Sequence, residues 1–172
     1  MNEKQKFIIS ELWILAWAAS VQRAKLYQEG VDSLSKEAIK FREDIMEFAE
    51  KNLISQYADG CTEEQHYENI EKLIAFATKT NPGILGKDGY KYGVAQKLLN
   101  LALKYHWCLD LIKDPPHCPV DRIVINKTKF KNKINWTQIT QRQQYQQVIE
   151  AIKVAAKTDS IAKWELESYR RR

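Results

Sequence analysis

Residues 89–126 read GYKYGVAQKLLNLALKYHWCLDLIKDPPHCPVDRIVIN, and this stretch decides the fold class. Apolar residues recur at helical spacing from residue 92 to residue 112, which predicts a long central helix packed on several sides. The same spacing places Lys97, Asn100 and Lys104 together on the remaining face. The proline pair at 115–116 ends this helix, because proline lacks an amide proton and restricts the residue before it.

Residues 120–126 follow the proline-stiffened loop and admit two interpretations. Their β-branched side chains favour a strand, whereas Asp121 is a good N-cap residue for a short helix. We favour the short helix.

The rest of the chain predicts further helices and no sheet. A first helix spans residues 7–28 and is apolar nearly all round, which predicts burial on several sides. Trp13 and Trp17 lie one turn apart on it; such a pair can stack on a base, but a role in the core is favoured. A second helix begins after Ser33 or Ser35 and ends near residues 59–60.

The third helix begins with a capping-box pattern at Thr62 and ends near residue 81. Two more follow, one over residues 136–157 and a last one from Ser160 that includes Tyr169 and precedes a basic tail at 170–172. With 172 residues the chain is long enough to bury a core without metal or disulfide. We therefore expect one all-α domain over residues 1–172, with about six helices.

Charge divides the chain into two halves. Residues 1–90 carry 11 Lys and Arg against 15 Asp and Glu, a net charge of −4, whereas residues 91–172 carry 16 against 7, a net charge of +9. Lys127, Lys129, Lys131 and Lys133 form the densest basic run. A basic half suits a phosphate-bearing partner such as DNA or a nucleotide, although a solvated lysine loop without a partner is an equally common pattern.

Four glycines mark the entry to the central helix, at positions 83, 86, 89 and 93, with Lys87 and Lys91 between them. Backbone N–H groups at such an entry can bind an anion. The spacing matches no dinucleotide or phosphate-loop motif, so a connector is the simpler interpretation.

Cellular location is indicated by the cysteines and the N-terminus. Cys61, Cys108 and Cys118 are odd in number and form no disulfide-like pattern, which favours a reducing cytoplasm. The apolar run at 12–19 is too short to span a bilayer, so we expect neither a signal sequence nor a membrane partner.

Metal binding is not predicted. His106, Cys108, His117 and Cys118 are zinc donors by type, but neighbouring positions on a helix point in different directions and no CxxC spacing is present. We expect no cofactor.

Lys97 and Asp121 are the candidate catalytic pair. An amine held against apolar surface is more easily neutral, so Lys97 can attack a sugar C1′ and form a Schiff base, while Asp121 stabilises the positive charge that develops. The plainer alternative is a lysine that extends from a core helix to solvent and an aspartate that only caps a helix.

Residues 93–100, Gly-Val-x-x-Lys-x-x-Asn, followed by Pro119-Val120-Asp121-x-x-Val124, resemble the helix-hairpin-helix DNA glycosylases of the endonuclease III and 8-oxoguanine glycosylase type. The resemblance implies a glycosylase or abasic lyase in which Lys97 is the Schiff-base nucleophile and Asp121 is essential. It also implies that the hairpin at Gly93 binds DNA phosphate.

Two hypotheses follow, and they differ in whether the protein is an enzyme. The first is a DNA-binding or phosphate-binding protein that uses the Lys97–Asp121 pair, with binding residues Lys91, Gly93, Asn100, Arg122, Lys127, Lys129, Lys131 and Lys133. The second is a non-catalytic module, as in host–phage conflict, that binds a nucleotide or a protein partner beside the glycine loop. The acidic second helix is a further candidate surface for a protein partner.

Overall fold

The computed structural model describes residues 2–158 and 160–168. Within them the chain forms α1 (Glu3–Val21), α2 (Lys36–Asn52), α3 (Glu63–Thr80), α4 (Tyr92–Cys108), α5 (Arg122–Ile125), α6 (Arg142–Ala156) and α7 (Ile161–Ser168). Three short 3-10 helices lie at Ile54–Tyr57, Pro82–Ile84 and Trp136–Gln138. These residues contain no strand beyond an isolated antiparallel bridge between Tyr27 and Leu85. The all-α prediction is confirmed, with seven α-helices in the described residues where about six were expected.

Helix α4 is the centre of the molecule. It packs against α1, α3, α6 and the 3-10 helix at Trp136–Gln138. Val94, Ala95, Leu98 and Leu99 are fully buried, as the apolar spacing predicted, and Leu103 is fully buried as well. The helix ends at Cys108 rather than at residue 112, because the chain turns through Asp110 at a φ of +56°.

Helix α1 is shorter and more exposed than predicted. It ends at Val21, because Arg23 and Lys25 adopt left-handed φ angles of +67° and +49°. Trp13 and Trp17 belong to the core, as favoured, with exposed fractions of 6% and 5%. The prediction of burial on several sides is wrong, because α1 leaves a set of large apolar side chains exposed: Phe7, Ile8, Ile14 and Leu15.

The N-caps of α2 and α3 are residues that the sequence predicted as caps. The Ser35 hydroxyl accepts a hydrogen bond from the Ala38 N–H at 3.2 Å, and the Thr62 hydroxyl accepts one from Gln65 at the same distance. Helix α2 ends at Asn52, and its predicted continuation is the separate 3-10 helix at Ile54–Tyr57.

The predicted helix over residues 136–157 is wrong in its first part. The chain forms the 3-10 helix at Trp136–Gln138, becomes extended at Ile139, and starts α6 only at Arg142. The cause is tertiary, because the Ile139 carbonyl accepts a hydrogen bond from the Gly93 N–H of α4 at 2.8 Å. Helix α7 is described to Ser168, so the predicted Tyr169 and the basic tail at 170–172 lie outside the described residues.

The segment after the proline loop is the short helix α5, as favoured. Oδ1 of Asp121 accepts hydrogen bonds from the Ile123 N–H at 2.8 Å and the Val124 N–H at 3.0 Å. No helix in the described residues is both long enough and apolar enough to cross a membrane.

Candidate functional site

A cleft of about 680 Å³ opens between the end of α1, the first half of α4, α5 and the loop that follows it. We call it the basic cleft. Its lining carries five cations and one carboxylate; the cations are Arg23, Lys97, Arg122, Lys127 and Lys131, and the carboxylate is Asp121. Gln22, Ile123, Asn126 and Trp136 complete it. The excess of positive charge in a concave site attracts an anion.

Lys97 lies in the basic cleft with its side chain half-buried. Its Nζ atom stands 4.2 Å from the centroid of the Trp136 ring, within range of a cation–π interaction. Burial lowers the pKa of Lys97, the charge of Arg23 lowers it further, and Asp121 opposes both effects. A larger share of the amine is therefore neutral near pH 7 than in an exposed lysine.

Asp121 lines the same cleft as Lys97, so the structure brings the two predicted catalytic residues together. Both belong to the described residues, and no ion pair within 4.0 Å joins them. Instead Oδ1 of Asp121 caps α5. The carboxylate therefore acts on Lys97 by its charge, while its orientation is set by the helix cap.

Trp136 is positioned by Gly93. A β-carbon at Gly93 would lie 1.9 Å from the Trp136 carbonyl oxygen, so only glycine permits this approach. The Gly93 N–H is bonded to Ile139, which leaves it unavailable to a phosphate. The prediction that Gly93 binds phosphate is therefore wrong, because this glycine serves close packing beside the cleft.

The glycine loop before α4 is a structural connector. The N–H groups of two of its glycines are used internally: Gly86 donates to the Leu26 carbonyl at 2.8 Å, and Gly89 donates to the Gly86 carbonyl at 2.9 Å. The close approach at Gly86 holds the loop against the chain after α1. The simpler of the two interpretations of this loop agrees with these contacts.

Asn100 is buried and does not reach the basic cleft. Its Nδ2 donates to the Tyr145 hydroxyl at 3.0 Å and to Gln96 Oε1 at 3.2 Å. Gln96 in turn donates to the Val120 carbonyl at 2.8 Å and accepts from the Val120 N–H at 3.1 Å. The assignment of Asn100 to ligand binding is therefore wrong; with Gln96 it ties α4 to the residues just before Asp121.

The same network continues to the protein surface. The Tyr145 hydroxyl lies 3.0 Å from His117 Nδ1, and His117 Nε2 lies 2.8 Å from Glu63. Burial lowers the pKa of His117, although Glu63 opposes the shift. The hydrogen bond from His117, together with Lys153, lowers the pKa of Glu63 to about 2. These distances and the lowered pKa assign His117 a neutral imidazole, which accepts a hydrogen bond from the Tyr145 hydroxyl at Nδ1 and donates one to Glu63 from Nε2.

The remaining predicted lysines, at positions 91, 127, 129, 131 and 133, are distributed over four places. Lys91 is paired with Asp88 at 3.0 Å and lies outside the basic cleft. Lys133 lines a neighbouring cleft, and Lys129 lines a separate one near α6. Of the basic run, only Lys127 and Lys131 enter the basic cleft, where they join Arg122.

Sequence reasoning missed Gln22, Arg23 and Trp136. The helix predicted over residues 7–28 includes Gln22 and Arg23, and no local signal marks the left-handed turn at Arg23 that ends it. The helix predicted over residues 136–157 begins at Trp136. The capping pattern of Asn135 and Gln138 marks the 3-10 turn there and could have separated it.

The residues that are zinc donors by type do not converge. His106 Nε2 lies 3.1 Å from Glu50, whereas His117 Nε2 faces Glu63. In the part of the chain that the structure describes, no group of three or more His, Cys, Asp or Glu side chains has the arrangement needed to hold a metal ion.

Comparisons of the chain with protein-family models, with curated proteins and with solved structures find no match.

Proposed function

We propose that the protein binds DNA through the basic cleft and that Lys97 is the nucleophile of a glycosylase or abasic lyase. The observation that carries the proposal is the position of Lys97, a half-buried amine of lowered pKa in one cleft with Asp121 and four further cations. Phosphate-binding cations around an amine whose pKa is lowered are what Schiff-base chemistry on a nucleotide sugar requires.

The chemical step begins with the neutral amine of Lys97. Its lone pair forms a bond to sugar C1′ while the glycosidic bond breaks, and the base leaves with the bonding electrons and takes up a proton. The attached nitrogen then carries two protons and passes one of them to the ring oxygen O4′. The C1′–O4′ bond breaks with its electron pair on that oxygen, so the ring opens and the nitrogen, which keeps one proton, forms a protonated Schiff base with C1′. At an abasic sugar the same amine condenses with the C1′ aldehyde and releases water.

Asp121 and Trp136 have distinct parts in this proposal. The Asp121 carboxylate stabilises the positive charge that grows on the sugar as the base departs. The Trp136 ring lies against the amine, stabilises its charged form and fixes its position before substrate enters. The Lys97 amine can therefore attack the sugar only after it moves away from the Trp136 ring or loses its proton.

Borohydride trapping tests the proposal, because reduction of the C=N bond converts the Schiff base into a stable amine. We expect a covalent adduct between the protein and a duplex that contains an abasic site. Lys97→Gln should abolish the adduct, and Asp121→Asn, which retains a capping oxygen, should slow base release more than it weakens binding. Lys91→Gln is the matched control, since Lys91 lies outside the basic cleft.

A non-catalytic module that binds a nucleotide or a protein partner is the second candidate. The cation–π contact of Lys97 with Trp136 favours it, because that contact stabilises the charged form of the amine. Protein that binds DNA but yields no adduct with any abasic substrate would establish this alternative. In both cases we expect a cytoplasmic protein, on the strength of its three free cysteines.

A further inference from the structure

A second cleft, of about 460 Å³, lies beside the basic cleft and shares Arg122 and Asn126 with it. Besides the shared pair, its lining includes Asn132, Lys133, Asn135 and Gln138. We call it the amide cleft, because four of these side chains are carboxamides. Its chemistry differs from that of the basic cleft, where cations predominate.

Carboxamides both donate and accept hydrogen bonds, which matches the edges of nucleobases rather than phosphate groups. Asn132 is held at a φ of +60°, and its N–H lies 3.4 Å from the Asn126 Oδ1. Gln138 is anchored through Oε1, which accepts from the Asn135 N–H at 2.9 Å and leaves its Nε2 group able to donate. These carboxamide residues thus lie in fixed backbone turns, and part of their hydrogen-bond donors and acceptors stays available to a ligand.

We propose that the amide cleft binds the nucleotide adjacent to the one over Lys97, on the same strand. Arg122 lines both clefts, so it is placed to bind the phosphate that links the two nucleotides. Lys133 lies at the second cleft and supplies a cation for the next phosphate. This inference rests on the proposed nucleic-acid function and adds that the ligand is at least a dinucleotide with an unpaired base.

The test compares two double variants of equal charge change. Lys133→Gln/Gln138→Glu alters the amide cleft, and the glutamate retains the oxygen that accepts from Asn135 while it removes the amide donor. Lys129→Gln/Gln143→Glu is the control, because both residues are exposed and line a separate cleft. The probes are thymidine 5′-phosphate and the 5′-phosphorylated thymidine dinucleotide, which compete against a fluorescein-labelled single-stranded oligonucleotide.

We expect the dinucleotide to bind wild-type protein about tenfold more tightly than the mononucleotide. The amide-cleft variant should lose this gain and keep its affinity for the mononucleotide within about twofold, while the control keeps the gain. A wild-type protein without the gain, a gain that survives in the amide-cleft variant, or an equal loss in the control would overturn the inference. A wild-type protein that binds neither these three nucleic acids nor duplex DNA with an abasic site would instead refute the proposed function.

Discussion

A β-carbon at Gly93 would lie 1.9 Å from the carbonyl oxygen of Trp136, and this close approach sets the distance between α4 and the residue that covers Lys97. Gly93→Ala should therefore destabilise the protein by about 3 kcal/mol or more, because backbone atoms must move to admit the methyl group. The measurement is the urea unfolding midpoint. Gly83→Ala is the control, since its β-carbon would meet only Asn81 Oδ1 at 3.5 Å and should change stability by less than about 1 kcal/mol. Equal stability of Gly93→Ala and wild type would refute the contact.

The position of the lysines divides the basic run into members that line the basic cleft and members that do not. Lys127→Gln/Lys131→Gln should reduce the slope of log affinity against log salt by about 1.5–2 units, because each phosphate contact contributes close to one unit. Lys129→Gln/Lys163→Gln removes the same charge outside the basic cleft and should change the slope much less. Fluorescence anisotropy with labelled duplex DNA over a series of KCl concentrations measures both. Equal slopes for the two variants would exclude the basic cleft as the DNA site.

Acid should destabilise the protein in the range where histidine titrates. His66 and His117 are buried and their pKa values are lowered mainly by burial, so the folded protein resists protonation that the unfolded chain accepts below about pH 6.5. The free energy of unfolding should therefore fall as pH drops below about 6.5. It should keep falling from about pH 4.5, because the Glu63 pKa of about 2 keeps that carboxylate ionised in the folded protein.

Urea unfolding at pH 7.5, 6.5, 5.5 and 4.5 measures this dependence. In His117→Gln the new side chain can still donate a hydrogen bond to Glu63 and accept one from Tyr145. This variant should take up about one proton fewer on unfolding below pH 6.5, so its free energy of unfolding should fall less steeply with decreasing pH. A wild-type midpoint that stays constant from pH 7.5 to 5.5 would contradict neutral buried imidazoles.

Trp17 is a core residue in α1, with its ring edge-on to Phe41 at a centroid distance of 6.2 Å. Trp17→Ala should cost about 3–5 kcal/mol, as expected for loss of a large buried ring. Leu15→Ala on the exposed face of the same helix should stay within about 0.5 kcal/mol of wild type. If Trp17→Ala left stability unchanged and abolished DNA binding, the ring would belong to a binding site rather than to the core.

Local signals sufficed for most helices and for the cap that orients Asp121. The buried positions of α4 follow from apolar spacing, and the caps at Ser35 and Thr62 follow from side-chain chemistry that acts over three residues. Local sequence signals did not predict the places where the chain changes direction because of a contact with a distant element. Ile139 is extended because Gly93 bonds to it, and that partner lies 46 positions away in sequence.

The candidate site depended on sequence and tertiary structure in different ways. Residue type and helical spacing were enough to single out Lys97 and Asp121, because an amine on an apolar helix and a carboxylate at a helix start are local properties. Only the fold decided that the two residues share a cleft and that Arg23 and Trp136 join them. The fold also decided that Gly93 serves close packing and that Asn100 belongs to a buried hydrogen-bond network. The physical reason is that the environment of a charge, which sets its pKa and its access to a ligand, comes from whatever packs around it, and those groups come from four separate segments of this chain.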